Sequence, residues 1–186
     1  MRKLLLLLAL ICMFIPASSA RAAGAPLSIF YAGPDGGVRT ALGLDKELRF
    51  TSDPATADVF VLNGQIPAAN AAAIRSRVQG GAGLLLILGP DLSGQAVGEL
   101  LGASVSLAKQ DDALSLAPLP GSQDSVVKSV IWDSAPQVRE RFTLTGSRLT
   151  PLVSGFGDAS LVLGTQKIGS GQAFVLTAFL DGNTNT

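Results

Sequence analysis

The sequence predicts an α/β fold, with a parallel sheet flanked by helices on both faces and a β-rich C-terminal half that ends in a hairpin. Three observations carry that expectation. Residues 58–64 (DVFVLNG) and 83–89 (GLLLILG) are apolar runs with almost no polar interior, as expected of strands covered on both faces. Stretches with helical spacing separate and follow them, the alternation that joins parallel strands by crossover helices. Near the end, Gly169-Ser170-Gly171 divides two runs of β-formers, the pattern of a tight hairpin.

The elements follow in order. Residues 27–33 (LSIFYAG) predict a first strand, closed by the turn Pro34-Asp35-Gly36-Gly37. A short helix is expected over 38–44 and a second strand over 48–51. The run 58–64 is the third strand, ending in a glycine turn. Pro67 then opens an alanine-rich helix through Val78, with Ala71, Ile74 and Val78 on one face and Gly80-Gly81 as its stop. Strand 83–89 is the most deeply buried expected, and a helix over 95–101 follows it. Beyond it the pattern changes to short strands at 104–107, 115–116, 142–144, 161–163 and 173–180. Residues 118–123 read as a loop within one domain, because neither side of them has a core of its own. No period of 20 to 50 residues repeats. Val59, Val61, Leu84, Leu86 and Ile87 are expected among the most buried side chains.

Residues 1–22 have the three parts of a secretory signal peptide. Arg2 and Lys3 precede an apolar run over 4–15, and a small-residue stretch contains Ala20-Arg21-Ala22. The run is short of the about 20 apolar residues that a bilayer-spanning helix needs. Export to the periplasm or cell envelope is therefore expected, with a single domain over 27–186. Bulky Ile11 before Cys12 argues against a lipid-attachment site. Cys12 is the only cysteine and histidine is absent, so residues 23–186 have no thiol catalysis, disulfide, or histidine or cysteine metal ligand. Without the leader, 11 basic residues face 14 acidic ones, a formal charge of −3, which gives no electrostatic basis for binding nucleic acid or anionic lipid.

Few groups remain for chemistry. Asp35-Gly36-Gly37 follows the first strand, where backbone amides of a Gly-Gly turn can cradle an anion; the plainer reading is a turn. Neither a GxGxxG nor a Walker A motif is present, and no cofactor is expected. Asp91, Asp111 and Asp112 carry the hard oxygen ligands that divalent cations prefer, but without EF-hand spacing they read as solvated acidic loops, and no metal site is assigned. Ser93, Ser154 or Ser170 could be paired with Lys109, Lys128 or Lys167 as a nucleophile and base, although such pairings can be drawn in almost any chain. Trp132 and Pro136 either form a recognition surface or pack locally.

Three segments carry a family resemblance: Ala57-Asp58-Val59-Phe60-Val61-Leu62-Asn63-Gly64, Val78-Gln79-Gly80-Gly81-Ala82-Gly83-Leu84-Leu85-Leu86-Ile87-Leu88-Gly89, and Lys167-Ile168-Gly169-Ser170-Gly171-Gln172-Ala173-Phe174-Val175-Leu176-Thr177. In this order they resemble the class I glutamine amidotransferase-like domain, a flavodoxin-like fold, in its divergent extracytoplasmic branch often fused to membrane-spanning segments. In catalytic members a cysteine occupies the sharp turn after the strand that 84–88 matches, with a histidine and an acid further on. Here that turn is Gly89-Pro90-Asp91, which offers a glycine able to adopt an elbow backbone but no nucleophile.

The resemblance implies a vestigial cleft at the strand carboxyl ends, where Gly89, Pro90 and Asp91 meet Asn63, Gly64, Asp35, Gly36 and Gly37. The function it implies is a non-catalytic binding or assembly domain, part of a membrane-attached protein, with an unknown protein or small molecule as partner. The alternative is a hydrolase or amidase-like enzyme using a Ser/Asp or carboxylate-bound metal site. Because only a polar stretch follows Leu180, a longer natural chain is expected, with any membrane contact made through the part beyond Thr186 and with apolar sheet surface left open beside Val175 and Leu176.

Overall fold

The computed structural model describes residues 25–120, 125–128, 137–157 and 160–181. The leader, the loop residues 121–123, Trp132 and Pro136 lie outside the described residues. In the first half, β1 (Leu27–Ala32) leads through α1 (Gly37–Gly43) to β2 (Leu48–Thr51). Next come β3 (Val59–Asn63), α2 (Ala71–Gln79), β4 (Gly83–Ile87) and α3 (Gly94–Leu101). The second half contains β5 (Ser106–Gln110), β6 (Leu114–Pro118), the single-turn α4 (Ser125–Lys128) and β7 (Gln137–Val138). It closes with β8 (Arg141–Thr145), β9 (Thr150–Gly155), β10 (Leu161–Ile168) and β11 (Gly171–Leu176).

The main sheet has the order β2-β1-β3-β4-β11-β10-β9-β6-β7, while β5 and β8 form a separate two-stranded ribbon. Strands β2, β1, β3, β4 and β11 are parallel, and β10, β9, β6 and β7 continue the sheet antiparallel. This is the α/β architecture expected, with parallel strands buried in the middle and a hairpin at the end.

Side chains alternate across the strands and build two cores. Phe60, Leu62, Leu84, Leu86, Leu88, Ala173 and Val175 point to the face covered by α2, α3 and the ribbon residues Phe142 and Leu144. Helix α1 lies over the opposite face at the β1–β2 margin, where Arg39 stacks 5.5 Å from the Tyr31 ring centroid and 5.3 Å from that of Phe50. A second cluster gathers Leu114, Val127, Val138, Leu152, Val153, Val162 and Ala178, against which Phe174 and Leu176 pack. Val175 is thus buried and Leu176 half-buried, so the open apolar surface expected beside them is covered.

Several details depart from the expectations. Val61, Leu84, Leu86 and Ile87 are buried, but Val59 is only half-buried, because it starts its strand and pairs with Gly83, which has no side chain to cover it. The strand expected at 104–107 lies at 106–110 and leaves the main sheet to pair with β8. Strand β9 is not among the strands expected, and it contains Pro151, which cannot donate to a ladder. Pro151 is tolerated there because it pairs with Gly164 of β10, while β6 pairs only with residues from Val153 onward. The strand expected over 173–180 ends at Leu176, and Ala178 then bridges to Arg141. Among the described residues no helix is long and apolar enough to cross a membrane.

Gly94, Gly98 and Gly102 repeat every four residues along α3, so they share one side of the helix. That side receives the chain entering β5. A Cβ on Gly94 would lie 2.6 Å from the Val105 carbonyl oxygen, and one on Gly98 would collide with the Ala103 carbonyl oxygen. Alanine improves a helix interior by about 1 kcal/mol over glycine, whereas overpacking against backbone costs about 1–3 kcal/mol. The steric cost is expected to win: Gly98→Ala should lower the urea midpoint with an unchanged m-value in equilibrium unfolding.

Candidate functional site

Three turns meet at the carboxyl ends of β1, β3 and β4. Gly33 lies against β3, where a Cβ would approach Asn63 O to 2.6 Å. Gly64 leaves β3 with a positive φ of 69° and touches Gly89: a Cβ on Gly89 would lie 2.6 Å from Gly64 Cα and 3.2 Å from the Phe179 ring. The Phe179 ring also lies 2.8 Å from where a Gly64 Cβ would stand. Both glycines are buried under this contact.

The elbow backbone anticipated at Gly89 is absent. Gly89 is not among the positive-φ glycines, and the chain leaves β4 still in the sheet ladder, with Leu88 N donating to Leu176 O at 2.8 Å. The turn closes afterward, through Leu92 N to Gly89 O at 3.2 Å. Pro90 and Asp91 are exposed, and Asp91 joins Gly64, Ile66 and Ser93 around a shallow cavity of about 330 Å³. Ser93 caps α3, its Oγ accepting from Ala96 N at 3.1 Å.

The Asp35-Gly36-Gly37 turn is tied to this cluster by a residue the sequence did not single out. The Asp181 carboxylate accepts from Asn63 Nδ2 at 2.5 Å and from Val38 N at 3.3 Å. A Cβ on Gly36 would lie 2.6 Å from its Cγ. Asn63 Nδ2 also donates to the Tyr31 hydroxyl at 3.0 Å, and that hydroxyl donates to Pro34 O at 2.7 Å. Asn63 is fully buried, with no partner for Oδ1 among the described residues. The exposed Asp35 pairs with Arg39 at 2.6 Å. The Asn63 amide and the Val38 N–H thus hold a carboxylate after β1, and that carboxylate is the chain's own.

Asp181 and Phe179 escaped sequence reading because they follow the last strand in what reads as a plain extension into a polar tail. They return to the site only because Phe179 N donates to Glu140 O at 3.1 Å beside the Arg141–Ala178 bridge. Tyr31 titrates above its ordinary value, chiefly because burial disfavours the phenolate. The Asn63 hydrogen bond opposes that effect and the Asp181 charge reinforces it.

The other candidates do not converge on this site. Asp111 pairs with Lys109 at 3.1 Å and Asp112 with Arg141 at 2.8 Å, so both carboxylates have cationic side-chain partners. Among the described residues no group of three or more potential metal ligands gathers. Lys109 is held charged, first by its hydrogen bond to Asp111, which is the opposite of what a general base requires. Ser154 lies in β9 and Ser170 in the closing hairpin, where its N–H donates to Gln79 O at 2.9 Å. Lys128 is in α4 and Lys167 is exposed on β10.

Comparison with known proteins places the fold. No family model matches the chain, and no curated protein does. Among solved structures, it is similar to a cytoplasmic protein from Salmonella typhimurium, with TM-score 0.64 and 12% identity over 86% of this chain and 90% of that one. It is also similar to a ThuA-like protein from Bacteroides uniformis, with TM-score 0.56 and 13% identity over 89% of each chain. A third likeness is to an exo-β-1,4-mannosidase from an Opitutaceae bacterium, with TM-score 0.59 and 13% identity over 84% of this chain. This chain spans only 32% of that mannosidase. At such identities the likeness shows the fold alone, an α/β fold shared with a ThuA-like protein among others.

Two outcomes are expected. Tyr31 is the only tyrosine, so absorbance at 295 nm reports it directly. It should titrate above 10.0, and Asp181→Asn should bring it down toward that value. Because the folded pKa is raised, the neutral phenol contributes stability that is present below the unfolded pKa and lost as pH rises through the folded one. Unfolding should therefore become easier above about pH 10, and Tyr31→Phe should remove that part of the pH dependence. Separately, Gly89→Ala should destabilise the protein by about 1–3 kcal/mol through overpacking against Gly64, measured by thermal or urea unfolding.

Proposed function

We propose that this protein is a non-catalytic binding or assembly domain on a degenerate glutamine amidotransferase-like scaffold, acting outside the cytoplasm as part of a membrane-attached protein. The observation that carries this reading is the contact at Gly89. The position where catalytic relatives of the fold would carry a nucleophile is closed by Gly64 and the Phe179 ring, with no volume for a side chain. Its weight is increased by the composition, since residues 23–186 hold neither cysteine nor histidine to supply a nucleophile or activate one. The exported, membrane-attached setting is supported by the leader sequence and by the resemblance to the extracytoplasmic branch.

In this reading the carboxyl-end cleft serves as a recognition surface. Exposed Asp91 lines it with Gly64, Ile66 and Ser93, and the Tyr31–Asn63–Asp181 network holds the neighbouring turn after β1. The purified protein is expected to show no turnover of glutamine, aryl amides or aryl esters above buffer, with or without magnesium, manganese or zinc. Saturable turnover that disappears in Asp91→Ala or Ser93→Ala would overturn the proposal in favour of an oxygen-nucleophile or carboxylate-metal hydrolase. Export is checked by N-terminal sequencing of protein recovered from the cell envelope, which should begin near Ala23.

A further inference from the structure

We infer that two copies of this protein pair through the free edge of β2, antiparallel about a two-fold axis at Leu48. Strand β2 is the last strand on its side of the main sheet. Leu27 N donates to Glu47 O at 2.6 Å and Asp58 N to Ser28 O at 2.9 Å, so Leu27 of β1 turns its backbone to β2 and Ser28 turns to β3. Alternation along a parallel ladder then engages residues 47, 49 and 51 with β1 and points the Leu48 carbonyl and the Phe50 N–H outward. Such an open row of backbone groups is a template for another strand.

Apolar surface gathers beside this edge. Of the five large hydrophobic side chains left exposed among the described residues, Leu27, Leu44 and Phe50 lie at the β1–β2 margin. Leu27 pairs with Leu48 and Ile29 with Phe50, so all four side chains share the face over which α1 lies. The Phe50 ring rests 3.8 Å from where a Gly43 Cβ would stand, next to Leu44, which is 79% exposed. Tyr31 meets that ring edge-on at 6.2 Å and Arg39 stacks on it, so the aromatic anchor is ordered before a partner arrives.

The charges select a second copy as the occupant. Glu47 and Arg49 are two residues apart and so share the other face of the strand; both are exposed, and neither has an ionic partner among the described residues. Antiparallel pairing that sets Leu48 against Leu48 of the second copy places Glu47 of each copy opposite Arg49 of the other. One face of the junction then carries two ion pairs, and the other joins Leu44, Leu48 and Phe50 of both copies, the self-complementarity that an isologous interface requires. Moving the axis to Arg49 would oppose two arginines, so the charges also fix the register.

The test is sedimentation equilibrium of the purified protein over a concentration series, which should show a dimer with a dissociation constant below about 0.1 mM. Glu47→Arg and Arg49→Glu change exposed side chains, and thermal unfolding confirms that each variant folds. Each alone sets like charges opposite one another and should weaken the dimer at least tenfold, while the double exchange restores it. Lys167→Glu, on exposed β10 surface, should leave it unchanged. Leu48→Cys, the only cysteine then present in residues 23–186, should give a disulfide-linked dimer on oxidation, because paired Cα atoms about 5.5 Å apart suit a disulfide. A monomer at every concentration, single reversals without effect, or a double exchange that stays weakened would overturn the proposal. Failure of the Leu48→Cys cross-link would overturn its register. None of these outcomes bears on the non-catalytic reading of the Gly89 cleft.

Discussion

Strand β4 must be hydrogen-bonded on both edges and covered on both faces at once, and most of the structure follows from that requirement. A backbone polar group buried without a partner costs as much as a lost hydrogen bond, so β4 cannot be central unless β3 and β11 both reach it. Its pairings with them, Leu84 with Phe60 and Ala173, and Leu86 with Leu62 and Val175, supply those bonds. The strand on the far side, β11, comes from the end of the chain, more than 80 residues later. The fold is thus closed by its last strand, and everything between α3 and β10 has to be accommodated around that closure. The glycines of α3 are part of the accommodation, since they let the chain press against the helix on its way to the ribbon.

The same closure accounts for the packing at the carboxyl ends. Once β11 is in place, Ala178 bridges back to Arg141, which swings Phe179 over Gly64 and Gly89 and delivers Asp181 to Asn63. The turn after β4 is occupied by ring and backbone packing. The anion-holding groups after β1 are satisfied by an internal carboxylate. Apolar burial, worth about 25 cal/mol per Å², holds the Phe179 ring against Gly64 and Gly89.

At the carboxyl end of the sheet Asp35 pairs with Arg39, and Asp181 with the amides of Asn63 and Val38, while Asp91 stays exposed on the turn after β4.

The sequence by itself determined the local and the compositional facts. The continuous apolar runs at 58–64 and 83–89 specify doubly covered strands, because moving their apolar side chains out of water is favourable. The helical spacing of Ile74 and Val78 identifies the buried face of α2, and the absence of histidine and cysteine from residues 23–186 removes whole classes of mechanism. The candidate turns at Asn63–Gly64 and Gly89 were legible as strand ends, and Asp35–Gly37 as a turn after the first strand. What the sequence left open was pairing and proximity. It did not show that β5 leaves the sheet for β8, that Pro151 is tolerated beside β10, or that Val59 stays half-exposed opposite a glycine. Nor did it reveal Asp181 as the partner of Asn63 or Phe179 as the cover of Gly89. Only the tertiary structure decided these, because they depend on contacts between residues far apart in sequence, and no local propensity encodes which distant groups will meet.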